Sequence, residues 1–173
     1  VAQKIAGRWG SLDMLVHGIA FARKEDLEGS FVKTPREGFQ LALDVSAYSF
    51  INVTNRMMPL LEKNGASLVT LTYLAAQRAI PNYNVMGIAK AALEATVRYL
   101  SWELGEQNIR VNALSAGPVK TAAARGISGF SDTYKQLLEH SPLKTEFGAA
   151  QVAPLSVFLA SDMSAAITGE TIF

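Results

Sequence analysis

Apolar residues fall in two kinds of block along this chain. Short runs, apolar almost throughout and rich in Val, Leu and Thr, occupy residues 12–20, 67–75 and 109–116. Longer stretches, about 38–62 and 82–105, carry their apolar residues at helical spacing. The short runs read as strands buried on both faces, and the long ones as helices packed on them. Two shorter helices follow near 131–140 and 149–160, and a further strand begins at 170–173. Strands alternating with helices predict an α/β fold, a doubly wound parallel sheet with right-handed crossovers.

The helix expected over 82–105 is apolar around much of its girth. Ala89, Ala91, Ala92, Leu93, Ala95, Val97, Leu100 and Leu104 suit a helix with a sheet on one side and a partner on the other. The loop AQRAIPNY precedes it, punctuated by Pro81, with Asn82 as a fair N-cap. At its start stands YNVMGIAK, residues 83–90. Seven helical steps of about 100° return to within roughly 20° of the origin, so Tyr83 and Lys90 share a face two turns apart. A phenol needs a nearby positive charge to donate a proton or to stabilise an oxyanion, and Lys90 could supply it. Alone, a two-residue pattern is weak, and two ordinary helix residues are the plainer reading. The neighbourhood adds weight. IRVNALSAGPVKT, residues 109–121, is a strand ending in a Gly-Pro turn. In an open α/β sheet, ligands bind beyond the carboxyl ends of the strands.

Composition narrows the classes. A chain of 173 residues, 49% hydrophobic, suits one domain with a substantial core. The net charge of +1, with both signs interspersed, gives no reason to expect nucleic acid or an anionic membrane as partner. Without cysteine there is neither a disulfide framework nor a thiolate metal site. His17 and His140 lack metal-ligand spacing, so no metal is expected. His17 reads as a packed strand residue rather than an acid or base. No apolar run is long enough to span a bilayer. The start, VAQKIAGRWGSLD, reads as a helix end leading into a strand rather than a signal peptide. No glycine-rich turn follows a first strand, and no acidic residue closes a second. Those are the parts that hold pyrophosphate and ribose in dinucleotide-binding folds.

Four segments carry a family resemblance: TYLAAQRAIPNYNVMGIAKAALEATVRYL, RVNALSAGPVKT, LVHGIAFA and REGFQLALDVSAYSF. On these the chain resembles the short-chain dehydrogenase/reductase superfamily, and within it the enoyl-(acyl carrier protein) reductases of bacterial fatty-acid synthesis. Common members of the superfamily place tyrosine and lysine four apart. A spacing of seven, with a second tyrosine ten residues upstream at Tyr73, marks the enoyl reductase branch. The resemblance implies a Rossmann-like sheet of which residues 1–173 form the later two-thirds, one incomplete domain. The first three strands would be absent, and the chain would stop at GETIF inside the last. Residues 12–20 would then expose a strand edge.

The resemblance also implies roles. Tyr83 would hydrogen-bond the substrate thioester carbonyl, Lys90 would hold the nicotinamide ribose, and Tyr73 would be the second active-site tyrosine. Ile19 and Ala20, with Gly117, Pro118, Val119, Lys120, Thr121, Ala122 and Ala123, would contact the cofactor. That cofactor would be NADH, with NADPH possible. Ala22, Met86, Ile127 and Phe130 would line the acyl site, although Met86 and Phe130 read equally as core residues. Residues 121–140 would form a mobile substrate-binding loop and helix. Many family members have serine where this chain has Gly18, and often a leucine where it has Ala122. The implied activity is NAD(P)H-dependent reduction of the trans-2 double bond of enoyl-acyl carrier protein thioesters, in a cytoplasmic homotetramer. Two alternatives stand beside it: another short-chain reductase acting on ketoacyl thioesters, and a non-catalytic fragment or pseudoenzyme.

Overall fold

The computed structural model describes residues 1–121, 124–144 and 148–173. The chain opens with α1 (Ala2–Trp9) and enters β1 (Met14–His17). A short α2 (Lys24–Leu27) leads to α3 (Arg36–Leu43) and α4 (Ser49–Leu61). Then come β2 (Ala66–Thr72), α5 (Asn84–Leu104), β3 (Ile109–Ser115), α6 (Phe130–His140), α7 (Ala149–Ala160) and β4 (Thr171–Ile172). The four strands form one parallel sheet in the order β1-β2-β3-β4. Each strand falls on the run that predicted it, although β2 starts one residue early, at Ala66, and β1 covers only part of 12–20. From Gly18 the chain leaves the sheet as irregular backbone.

Neighbouring residues on one strand feed opposite cores, which explains the unbroken apolar runs. Leu68 and Val111 join Phe50, Leu61, Leu93 and Val97 in the core under α4 and α5. Val69 and Leu114 meet Leu159 of α7 on the other face. Burying each such side chain contributes about 1.5–3 kcal/mol. Both faces are covered, as a doubly wound sheet requires. β1 pairs with β2 alone among the described residues, and its Val16 stays 50% exposed.

The single helix expected over 38–62 is interrupted. Asp44–Tyr48 form a π-helical turn between α3 and α4. This turn brings Ser46, fully buried, against the chain leaving β1. The amide of Phe21 donates to Ser46 Oγ at 3.0 Å, and the Ser46 hydroxyl lies 3.2 Å from the Phe21 carbonyl. One side chain therefore clips both backbone groups of a residue just past the sheet.

Gly38, in the first turn of α3, leans on the buried Asp26 of α2, and a Cβ there would overlap the carboxylate. One carboxylate oxygen, Oδ2, has no hydrogen-bond partner among the described residues. Gly38→Ala should cost about 1–3 kcal/mol in equilibrium urea denaturation, the usual penalty of overpacking. Gly7→Ala is the control, because a Cβ in that helix meets nothing within 4 Å. It should be neutral or stabilise by about 0.5–1 kcal/mol. Equal stability of the Gly38 variant and the parent would mean that the Asp26 contact is loose.

Candidate active site

Tyr73 follows the last residue of β2 in extended conformation, and the chain then makes a tight turn over Leu74–Ala76. Tyr83 does not begin the helix as the spacing suggested. It is the N-cap of α5, and its carbonyl accepts the amide of Gly87 at 3.0 Å. Asn82, expected as the cap, is instead left-handed at φ 59°, a conformation asparagine tolerates. Its side-chain amide donates to the Ser128 carbonyl at 3.1 Å. Gly87 lets α5 come close to the Tyr73 turn, since a Cβ there would sit 3.1 Å from the Ala75 carbonyl. The two tyrosine rings consequently meet edge to face, with centroids 5.1 Å apart. Burial raises the Tyr83 pKa to about 12, reinforced by Tyr73, and burial raises Tyr73 as well.

Two turns into α5, Lys90 is 7% exposed, and its ammonium donates to the Leu71 carbonyl at 2.7 Å. Burial lowers its pKa to about 8, against the opposing pull of Glu94. His17, at the end of β1, is buried beside Phe50 with ring centroids 4.9 Å apart. Its Nε2 lies 2.9 Å from Ser49 Oγ, and its Nδ1 lies 3.0 Å from Thr70 Oγ1. Ser49 donates to the Val45 carbonyl at 2.6 Å, so its oxygen is left to accept a proton from Nε2. His17 is thus the packed strand residue the sequence suggested, with both ring nitrogens partnered.

The other expected site residues gather around this centre unevenly. Ile19 and Ala20 are exposed just past β1. Ala22 and Tyr83 pack on a cluster of Leu27, Ala42, Val85, Met86 and Ala89, so Met86 is a core residue beneath Tyr83. Gly117, Pro118 and Val119 are half-buried in the irregular chain after β3. The Lys120 ammonium lies 4.2 Å from the centroid of the Tyr134 ring, toward α6. Thr121 Oγ1 accepts the Ala124 amide at 3.1 Å. Ala122 and Ala123 lie outside the described residues. Ile127 and Phe130 are half-buried, and Phe130 stacks on Tyr134 at 6.2 Å. Neither makes a ring contact with the tyrosine pair. Their segment reaches the site through Ser128, which is held by Asn82 and donates to Glu28 Oε1 at 2.5 Å.

A tyrosine pair over a buried lysine at the carboxyl ends of parallel strands invites comparison with known proteins. A family model described as Enoyl-(Acyl carrier protein) reductase matches residues 1–173. The chain belongs to the enoyl-(acyl carrier protein) reductase family. It is 47% identical to the enoyl-(acyl carrier protein) reductase (NADH) of Nostoc sp., over 98% of this chain and 65% of that one. It is 48% identical to the NADPH enzyme of Staphylococcus aureus, over 94% of this chain and 63% of that one. A crystal structure of the Anaplasma phagocytophilum reductase in complex with NAD superposes with a TM-score of 0.93 at 43% identity, covering 99% of this chain and 65% of that one. The chain thus spans less than two thirds of the length of these curated relatives.

Several residues of this family site were not singled out from the sequence. Ser46 and Ser49 flank each other in DVSAYS, a segment that carried the resemblance without suggesting a role. Asn84 donates to the Glu28 and Gly29 carbonyls at 3.2 and 3.3 Å and ties the start of α5 to the turn after α2. Thr72 donates to Glu94 Oε1 at 2.8 Å behind Lys90. Among the described residues no cluster of side chains suits a metal ion, and no helix is long and apolar enough to cross a membrane.

Burial, helped by the Lys90 charge, lowers His17 to about 4 from 6.5. Between those values the unfolded chain binds a proton that the folded one refuses, so stability falls as pH drops through this window. Thermal melts from pH 7 to 4 should show this slope, and His17→Gln should flatten it. An unchanged slope in the variant would place the acid sensitivity elsewhere.

Proposed function

We propose that the protein carrying this chain reduces the trans-2 double bond of enoyl-acyl carrier protein thioesters in fatty-acid biosynthesis, using NADH or NADPH. The observation that carries this reading is the tyrosine pair, two phenols edge to face at 5.1 Å with raised pKa values. A phenol with a pKa of about 12 is a poor acid at neutral pH but remains a good hydrogen-bond donor. That suits Tyr83 to holding the thioester oxygen as negative charge gathers on it. A carbonyl reductase would instead ask its tyrosine to surrender the proton, which favours a lower pKa. Family membership and relatives named for both NADH and NADPH support the same reading.

The residues past the strand ends fit a dinucleotide by the chemistry of their donors. The Lys90 ammonium gives one hydrogen to Leu71, and its others suit the hydroxyls of a ribose. Ile19, Ala20, Gly117, Pro118 and Val119 offer small or main-chain surface, and Thr121 a hydroxyl for phosphate. Lys120, Ala122 and Ala123 belong to the same contact segment. When bound, the reduced nicotinamide supplies hydride to the β-carbon of the substrate. Tyr73 and Tyr83 orient the thioester, while Ala22, Met86, Ile127 and Phe130 border the acyl chain. Of the mobile loop and helix read over 121–140, the described residues 124–140 would close over the acyl chain and exclude water. The protein works in the cytoplasm as a homotetramer. The outer face of α5, with Tyr99 79% and Trp102 88% exposed, supports a subunit contact.

The test is NADH and NADPH oxidation with a crotonyl thioester by the full natural protein, and by Tyr83→Phe. Loss of one oxyanion donor should lower kcat roughly 10²–10³-fold. Oxidation with a β-ketoacyl thioester but not with the enoyl one would mean a carbonyl reductase. No oxidation by the folded parent would mean a non-catalytic protein.

A further inference from the structure

Glu94 has no part in the reading above, yet it is a carboxylate only 6% exposed, one helical turn beyond Lys90. Consecutive residues of β2 receive the two side chains. Lys90 donates to the Leu71 carbonyl at 2.7 Å, and Glu94 accepts from the Thr72 hydroxyl at 2.8 Å. A neutral hydroxyl compensates only part of the cost of burying a carboxylate. Lys90, one turn away, is the one buried lysine or arginine among the described residues, and it faces Glu94 through space rather than in an ion pair within 4 Å.

We infer that Glu94 is a positioning residue, whose buried carboxylate, anchored by Thr72, acts through space to keep the Lys90 ammonium charged where it meets the Leu71 carbonyl. Its use in catalysis rests on the reductase reading; its effect on Lys90 does not. Burial favours the neutral amine, and Glu94 opposes it. The other groups nearby do not substitute for it. His17, facing from β1, is held neutral by burial and by Lys90 itself. Tyr73 and Tyr83 have raised pKa values and stay neutral at physiological pH. Of the carboxylates on elements packed against α5, Asp26 lies against Gly38, while Glu25, Glu37, Asp44 and Glu106 are exposed, as are the cations Lys24, Arg36 and Arg56. A ribose hydroxyl bonds an ammonium more strongly than an amine, so a neutral Lys90 would weaken the hold on cofactor.

The test reads Lys90 directly, by titrating its side-chain ¹³Cε signal in lysine-labelled full natural protein, assigned by loss of the signal in Lys90→Arg. The midpoint should lie near 8 in the parent. In Glu94→Gln it should fall by about one pH unit, a tenfold loss of the charged form at fixed pH above it. Glu94→Asp should lie between them. The KM for NADH or NADPH at pH 8 should rise up to about fivefold in Glu94→Gln with a smaller change in kcat. Should Glu94→Gln fail to fold, Thr72→Val, which frees the carboxylate, should lower the midpoint in the same direction. A midpoint equal to the parent's in Glu94→Gln, or in Thr72→Val if only that folds, overturns the inference. A lowered midpoint in a protein that does not reduce enoyl thioesters would sink the reductase reading and leave Glu94's hold on Lys90 standing.

Discussion

Burying an ammonium at the end of a parallel sheet is costly, and much of this structure accommodates that cost. Lys90 sits where α5 crosses β2, and a strand carbonyl takes one of its hydrogens. The neighbouring strand residue braces the carboxylate one turn away. On the other side, His17 is kept neutral, so it adds no repulsion. The charge survives because each neighbour is itself fixed by a further bond. Ser49 and Thr70 hold His17, and the π-turn puts Ser49 within reach.

Around that charge the site is assembled from ends of elements rather than from their middles. Tyr73 lies one residue past β2, and Tyr83 one residue before α5. Phe21, just past β1, is pinned by Ser46. Residues at such ends are not committed to ladder or helix hydrogen bonds on every side, so they can turn polar groups toward a ligand. Their positions are set by the rigid elements behind them. The segment leading to α6 is tied to the start of α5 and to the turn after α2 through Asn82, Ser128 and Glu28.

The elements were legible in the sequence because strands buried on both faces and helices packed on a sheet leave strong periodic signals. The runs at 67–75 and 109–116 match β2 and β3 to within a few residues, and the stretch at 82–105 contains α5 nearly to the residue. The seven-residue spacing of Tyr83 and Lys90 was legible too, although it was read as wholly helical when Tyr83 is the cap. What stayed hidden was pairing between distant residues. Thr72 and Glu94 are 22 positions apart, and Ser128 and Glu28 are 100 apart. Each is a common polar residue with no local pattern to mark it. The π-turn was hidden for a different reason. DVSAY has the composition of an ordinary helix, and its irregularity is imposed by what Ser46 and Ser49 must reach.

That turn also fixes the length of the chain through this region. A π-turn holds one more residue than an α-turn would. Deleting any residue of 44–48 would let α3 and α4 run on as one regular helix. The surplus residue is taken up within the widened turn, so α4 would keep its facing on the sheet. What would be lost is the local bulge that carries the Ser46 hydroxyl to Phe21. The length of the chain at 44–48 is therefore set by the reach of one serine to the chain leaving β1 rather than by the packing of the helices on the sheet.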